Sequence, residues 1–150
     1  MNLSDIIQAE DVLLGLSMPN KEKLIRALAR HAASRLDIAE AVIYRALADR
    51  ERLGSTGIGS GVAIPHAGVD GIDAAFGILM VLRKPIDFEA VDDEPVDIVF
   101  LVLTPEGRTA AHLNLLACFA RRARSREFRA RLRTATSPAA AYSVLTEASA

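Results

Sequence analysis

From Asn20 onward the apolar residues Leu24, Ile25, Leu28, Ala29, Ala32 and Leu36 recur three and four positions apart, the stripe of an amphipathic helix with Asn20 as its N-cap. Asp37 followed three residues later by Glu40 has the form of a capping box, and Ile38, Val42, Ile43, Ala46 and Leu47 carry a second stripe to about Asp49. This second helix delivers Arg50, Glu51 and Arg52 to its C-terminal end. Beyond a glycine-rich stretch the pattern changes: residues 74–82 and 96–103 are unbroken apolar runs, ended by Arg83-Lys84-Pro85 and by Thr104-Pro105. Both read as strands, and their lack of polar alternation predicts burial on both faces, under helices on either side of a sheet. Thr109 then caps a helix with Leu113, Leu116, Ala117 and Ala120 on one face. Phe128 and Leu132 mark a short helix, and Ser137-Pro138 opens a last one cored by Ala141, Val144 and Leu145. Residues 1–19 hold only short apolar pairs and read as short strand or coil, and the chain is expected to fray through Ser149 and Ala150.

The composition narrows this without redirecting it. At 150 residues, 51% of them hydrophobic, the chain suits one α/β domain spanning residues 1–150, with no internal repeat and no long linker. A formal charge of -1 gives no global attraction to nucleic acid or anionic membrane, and the single Cys118 cannot form an internal disulfide. The apolar runs fall short of the roughly 20 residues a spanning helix needs, and the N-terminus lacks a signal peptide's basic start and apolar core. A soluble, cytoplasmic protein without stable membrane insertion is expected.

Candidate chemistry begins in the glycine-rich stretch. Gly54, Gly57, Gly59, Gly61 and Gly68 bracket a run that ends in Pro65-His66-Ala67-Gly68, a loop that can present backbone amides to an anion and hold an imidazole at its end. His66 in that setting suits a nucleophile, acid or base; a surface turn with an incidental histidine explains the spacing equally well. Arg50 stands sixteen residues earlier, within reach of an anion held there, although an arginine at a helix end is also an ordinary solvated charge. His112, third in the helix capped by Thr109, lies where the dipole favours both a neutral imidazole and a bound anion. His31, near the first helix's apolar stripe, reads as structural, and Cys118 as a packing residue. Six carboxylates within residues 87–97 read as a solvated loop rather than a metal site. Seven arginines within residues 121–133 read as a solvated basic helix rather than a nucleic-acid surface.

Arg50-Glu-Arg-Leu-Gly-Ser-Thr-Gly-Ile-Gly-Ser-Gly-Val-Ala-Ile-Pro-His66 resembles the signature of the enzyme IIA domains of the bacterial phosphotransferase system, of the fructose/mannitol class and, within it, the nitrogen-regulatory type. The segments Lys84-Pro-Ile-Asp-Phe-Glu-Ala-Val-Asp, Pro95-Val-Asp-Ile-Val-Phe-Leu-Val-Leu-Thr-Pro and Ala111-His-Leu are similar to that family's as well, so the likeness covers nearly the whole chain. The resemblance implies a mixed β-sheet flanked by helices and no cofactor. It implies that His66 accepts a phosphoryl group from an HPr-type (NPr) phosphohistidine carrier, beside His112 as second active-site histidine and Arg50 as stabiliser of the phosphoryl charge. Downstream it implies either regulatory target proteins read according to phosphorylation state, or an enzyme IIB in fructose or mannitol uptake. A non-catalytic interaction module is the third reading. The lack of a membrane segment or IIB-like extension favours regulation.

Overall fold

The computed structural model describes residues 2–147; the expected fraying at Ser149 and Ala150 lies outside them. Two long strands form the middle of the sheet. β5 (Phe76–Ile86) and β6 (Val96–Pro105) pair antiparallel, and β1 (Ile7–Leu16) lies parallel to β5 on its outer side. On the other side of β6 the chain folds as β2 (Gly57–Gly59), β3 (Val62–Ala63) and β4 (His66–Val69). β3 and β4 both run parallel to β6, and β2 pairs antiparallel with β3. The result is the mixed sheet expected, of six strands among the described residues.

Each long strand presents alternate residues to opposite faces. Ile78, Met80 and Leu82 with Val99, Leu101 and Leu103 meet α1 (Lys21–Leu36) and α2 (Glu40–Arg52) through Leu24, Leu28, Ile43 and Leu47. Leu79 and Val81 with Ile98, Phe100 and Val102 meet α3 (Thr109–Ala123), α4 (Arg126–Thr134) and α5 (Pro138–Thr146) through Leu115, Phe119, Phe128, Leu132 and Leu145. Burial on both faces explains why neither strand shows polar alternation.

Several boundaries differ from expectation, each for a local reason. Asp37 is not the cap of α2 but the C-cap of α1, at φ 56° in the left-handed region, and α2 begins after Ala39 without a side-chain cap. Arg83-Lys84-Pro85 does not end β5, because a register shift between Val81 and Ile86 accommodates the proline inside the strand. Residues 7–16 form a full strand. Its register is broken between Ile7 and Val12 and its intervening residues 8–10 are exposed, which hid the alternation. On α3 the buried face is Leu115, Cys118, Phe119 and Ala123, while Leu113 is 59% exposed. That helix carries apolar residues on more than one side, so periodicity alone could not select the face that meets the sheet.

Candidate functional site

The run 62–69 is one strand interrupted. Val62 and Ala63 pair with Ile98 and Val99 of β6; His66 to Val69 pair with Val102 to Pro105. Between them, Ile64 turns its amide away to the Thr56 carbonyl (3.0 Å), while the Pro65 carbonyl accepts from Val102 N (3.0 Å). Proline has no N–H to contribute to a ladder, so a break here leaves no donor stranded. The interruption leaves the Ile64 carbonyl available to the His66 side chain, whose Nδ1–H donates to it at 2.8 Å. With the proton on Nδ1, the lone pair of His66 lies on Nε2.

Arg50 reaches that atom from the last turn of α2. Its Nε–H donates to His66 Nε2 at 3.2 Å, and its Nη1 donates to the Gly54 carbonyl at 2.8 Å, which holds the guanidinium against the start of the loop. Glu51 anchors the same corner: it accepts from Thr56 through both the backbone N–H (3.2 Å) and the hydroxyl, and pairs with Lys21 Nζ at 2.8 Å. The helix end and the loop are thus tied by two consecutive side chains.

His112 comes from the opposite face of the sheet, on the first turn of α3. Its ring centroid lies 5.0 Å from that of His66, tilted by 56°, and its Nδ1 is 2.6 Å from the hydroxyl of Thr104. The helix starts one residue earlier than expected, so His112 is its fourth residue and its amide already bonds the Arg108 carbonyl at 3.0 Å. A cavity of about 160 Å³ opens beside it, lined by Gly68, Thr104, Pro105, Gly107, Arg108 and Thr109. Burial lowers the pKa of His66 from the ordinary histidine value; the Ile64 carbonyl opposes this, the Arg50 charge adds to it, and Glu51 opposes it. His112 is lowered too, by burial and then by the proximity of His66 and Arg50. Both effects keep the imidazoles neutral, and a neutral His66 has an attacking lone pair.

Arg50, His66 and His112 therefore converge, although they come from α2, β4 and α3. Two glycines of the loop have a packing role. Ser60 and Gly61, at φ 58° and 80°, make the two-residue hairpin turn between β2 and β3. A Cβ on Gly57 would sit 2.7 Å from that of Ala90. Carbonyls of Gly57 and Gly61 accept from Val91 and from Asp97 and Ile98, so these glycines pack the hairpin against the acidic segment. Within that segment Asp92 accepts from the amides of Ser60 and Glu94. The arginines of residues 121–133 are largely structural: Arg122 and Arg131 bond to Glu147, Arg129 to the Ala123 carbonyl, and Arg133 to Asp97 and the Ser60 carbonyl. His31 is structural as expected, although the acid that holds it, Asp11, comes from β1 rather than from its own helix.

Two groups at the site had no separate signal in the sequence: the Ile64 carbonyl and Thr104. Pro65 hints at the first through the strand break it permits. Thr104 read only as the end of a strand. Among the described residues no helix is long and apolar enough to cross a membrane.

The sequence profile of the family described as "Phosphoenolpyruvate-dependent sugar phosphotransferase system, EIIA 2" matches residues 5–148. A nitrogen regulatory protein of Bradyrhizobium diazoefficiens is 40% identical over 145 residues, which are 97% of this chain and 95% of that one. The fructose-specific EIIA component of Haloferax volcanii is 32% identical over 148 residues, 97% of this chain and 96% of its own. The crystal structure of nitrogen regulatory protein IIA-Ntr from Neisseria meningitidis superposes with a TM-score of 0.91 at 31% identity, covering 96% of this chain and 99% of that one. On sequence and fold together, the chain belongs to the EIIA 2 family of the phosphoenolpyruvate-dependent sugar phosphotransferase system.

Proposed function

We propose that this protein is a phosphoryl carrier that takes its phosphate on His66 Nε2 from an HPr-type (NPr) phosphohistidine protein, as one domain over residues 1–150 working in the cytoplasm. The observation that carries this is the division of labour on one ring: Nδ1–H is engaged by the Ile64 carbonyl, and Nε2 faces the Arg50 guanidinium. The lone pair on Nε2 attacks phosphorus, the P–N bond to the donor histidine breaks, and its electron pair returns to the donor ring, which leaves as neutral imidazole because its other nitrogen carries a proton. His66 keeps its proton on Nδ1 throughout, so the transfer moves no proton. The charge spread over the phosphoryl oxygens in transfer needs countercharge more than a base. Arg50 supplies it by moving from Nε2 to those oxygens as they arrive, and His112 supplies a neutral ring on the other side.

The 40% identity to a nitrogen regulatory protein over nearly the full length of both chains supports a regulatory output, in which the two phosphorylation states bind different target proteins. The likeness to a fructose-specific EIIA component supports a second reading, transfer onward to an enzyme IIB. Incubation with phosphoenolpyruvate, enzyme I and an HPr-type carrier tests the acceptor. The wild type should gain acid-labile, alkali-stable phosphate and His66→Ala none; equal labelling of the two sinks the assignment. Release of the label to an enzyme IIB favours the second reading, and retention with state-dependent capture of a target favours the first.

A further inference from the structure

Thr104 is out of place by packing alone. On β6 it continues the row Ile98, Phe100 and Val102, which faces the apolar layer of α3 to α5, and the residue is only 2% exposed. A valine of the same shape would fill that position without a polar group to satisfy. Among the described residues the hydroxyl has one hydrogen-bond partner, His112 Nδ1 at 2.6 Å. Two arrangements of that bond are conceivable. If Nδ1–H donated to Thr104, the hydroxyl's own proton would have no acceptor among the described residues at an almost fully buried position, which native interiors avoid. If the hydroxyl donates to Nδ1, its proton and the Nδ1 lone pair satisfy each other, and the ring proton of neutral His112 must sit on Nε2.

We propose that Thr104 is a positioning residue of the phosphoryl site: its hydroxyl donates to His112 Nδ1, locks the neutral ring as the Nε2–H tautomer, and so makes His112 a hydrogen-bond donor to the phosphoryl group on His66. This rests on the acceptor reading of His66. It gives the two histidines opposite tautomers, His66 with its proton on Nδ1 and a lone pair to attack, His112 with its proton on Nε2 and a donor to offer. The lowered pKa of His112 supports the same picture, since a protonated ring would have a hydrogen on both nitrogens and could not accept from Thr104. A hydroxyl at the end of an adjacent strand thereby selects which edge of an imidazole acts, as an outer hydrogen-bond partner does for a metal-bound histidine.

Nitrogen-15 spectra of the histidine rings test this directly, above the pH at which they titrate. In the wild type His112 should show an unprotonated Nδ1 and a protonated Nε2. In Thr104→Val it should become a mixture of tautomers, with His66 unchanged, and Thr104→Ser should restore the single form. Phosphate uptake from the phosphorylated HPr-type carrier should fall about tenfold in Thr104→Val, less than the roughly hundredfold cost of deleting a donor, and recover in Thr104→Ser. A wild-type His112 with its proton on Nδ1 overturns the proposal, as does a Thr104→Val protein whose tautomer or rate is unmoved. Should Thr104→Val fail to fold, the wild-type spectra and the serine variant decide it. Failure of the wild type to take up any phosphate overturns the acceptor reading instead, and the ring spectra separate the two outcomes because they need no transfer.

Discussion

His31 and His66 are both half-buried against the sheet, and each has one ring nitrogen 2.8 Å from an oxygen. The oxygen of His31 belongs to the carboxylate of Asp11, fully buried on β1; that of His66 belongs to the backbone carbonyl of Ile64. Each cluster also holds an arginine, and it points to a different place. Arg35 Nε donates to Asp11 at 2.9 Å, so cation, anion and imidazole close on one another. Arg50 Nε donates to the imidazole itself, with no carboxylate bonded to either among the described residues, so the positive charge faces the ring nitrogen that carries the lone pair. The first cluster is a strut between β1 and α1 with its charges spent internally. The second sets a guanidinium against a ring lone pair, the arrangement that the proposed phosphoryl transfer requires. What separates the strut histidine from the proposed acceptor is the partner's chemistry and the arginine's aim, at equal distance and with both rings half-buried.

The sharpest way to break this contrast is to remove each ring in turn. His66→Ala should abolish phosphate uptake while His31→Ala leaves its rate unchanged, measured with the same phosphorylated carrier; a loss in His31→Ala would erase the distinction. Replacing the arginines comes next. Arg50→Met should slow uptake by roughly 10²–10³-fold, the scale of deleting one charge-stabilising donor, and Arg35→Met should not slow it. An acid titration of the rings follows: His66 and His112 should both protonate with midpoints below about 6.5. Uptake should be flat at neutral pH and fall on acidification, because protonation consumes the Nε2 lone pair. The same shifts make the unfolded rings bind protons before the folded ones, so stability should decline as pH falls from about 6.5 through the lower folded values. A midpoint for His66 above 6.5 would contradict the burial and Arg50 effects. The smallest effect is on the strut. His31→Ala should cost about 1–3 kcal/mol in denaturant unfolding, since it removes a hydrogen bond to a buried carboxylate whose Oδ2 already has no partner among the described residues.

Much of the architecture was legible along the chain because its signals are local. The α1 stripe, the Asn20 cap that accepts from Lys23 N, the Ser137 cap with Pro138 behind it, and the two apolar strands depend on residues close in sequence. Asp37 shows the limit of such reading. Its spacing from Glu40 fits a capping box, yet a residue between two helices can end one as readily as begin the other. The left-handed turn that closes α1 onto α2 settled which. The buried face of α3 failed for a related cause: Leu113 and Leu115 are equally apolar, and the sheet beneath chose between them.

The candidate site divides the same way. The run from Arg50 to His66, with His112 later, was visible as a pattern of residue types and as a family resemblance. The glycines in it were visible too, but their use was not. They pack a hairpin against residues 90–97, contacts between segments some thirty positions apart that no local rule anticipates.

Residue order alone was enough for the class of fold, most helices, both central strands and the three side chains on which the proposed chemistry rests. The elements follow from periodicity, caps and residue identity, which are written one turn or one strand at a time, and the roles of the three side chains from the family resemblance. The fold in space was needed to show that Arg50 addresses Nε2, that a strand broken at Ile64-Pro65 offers a carbonyl to Nδ1, and that Thr104 stands behind His112. Each is a hydrogen bond made at an angle and a distance, between groups that meet only because α2, β4, β6 and α3 come together at one end of the sheet. Directional contacts of that kind depend on how elements are set against each other, and that setting is decided by the two apolar layers.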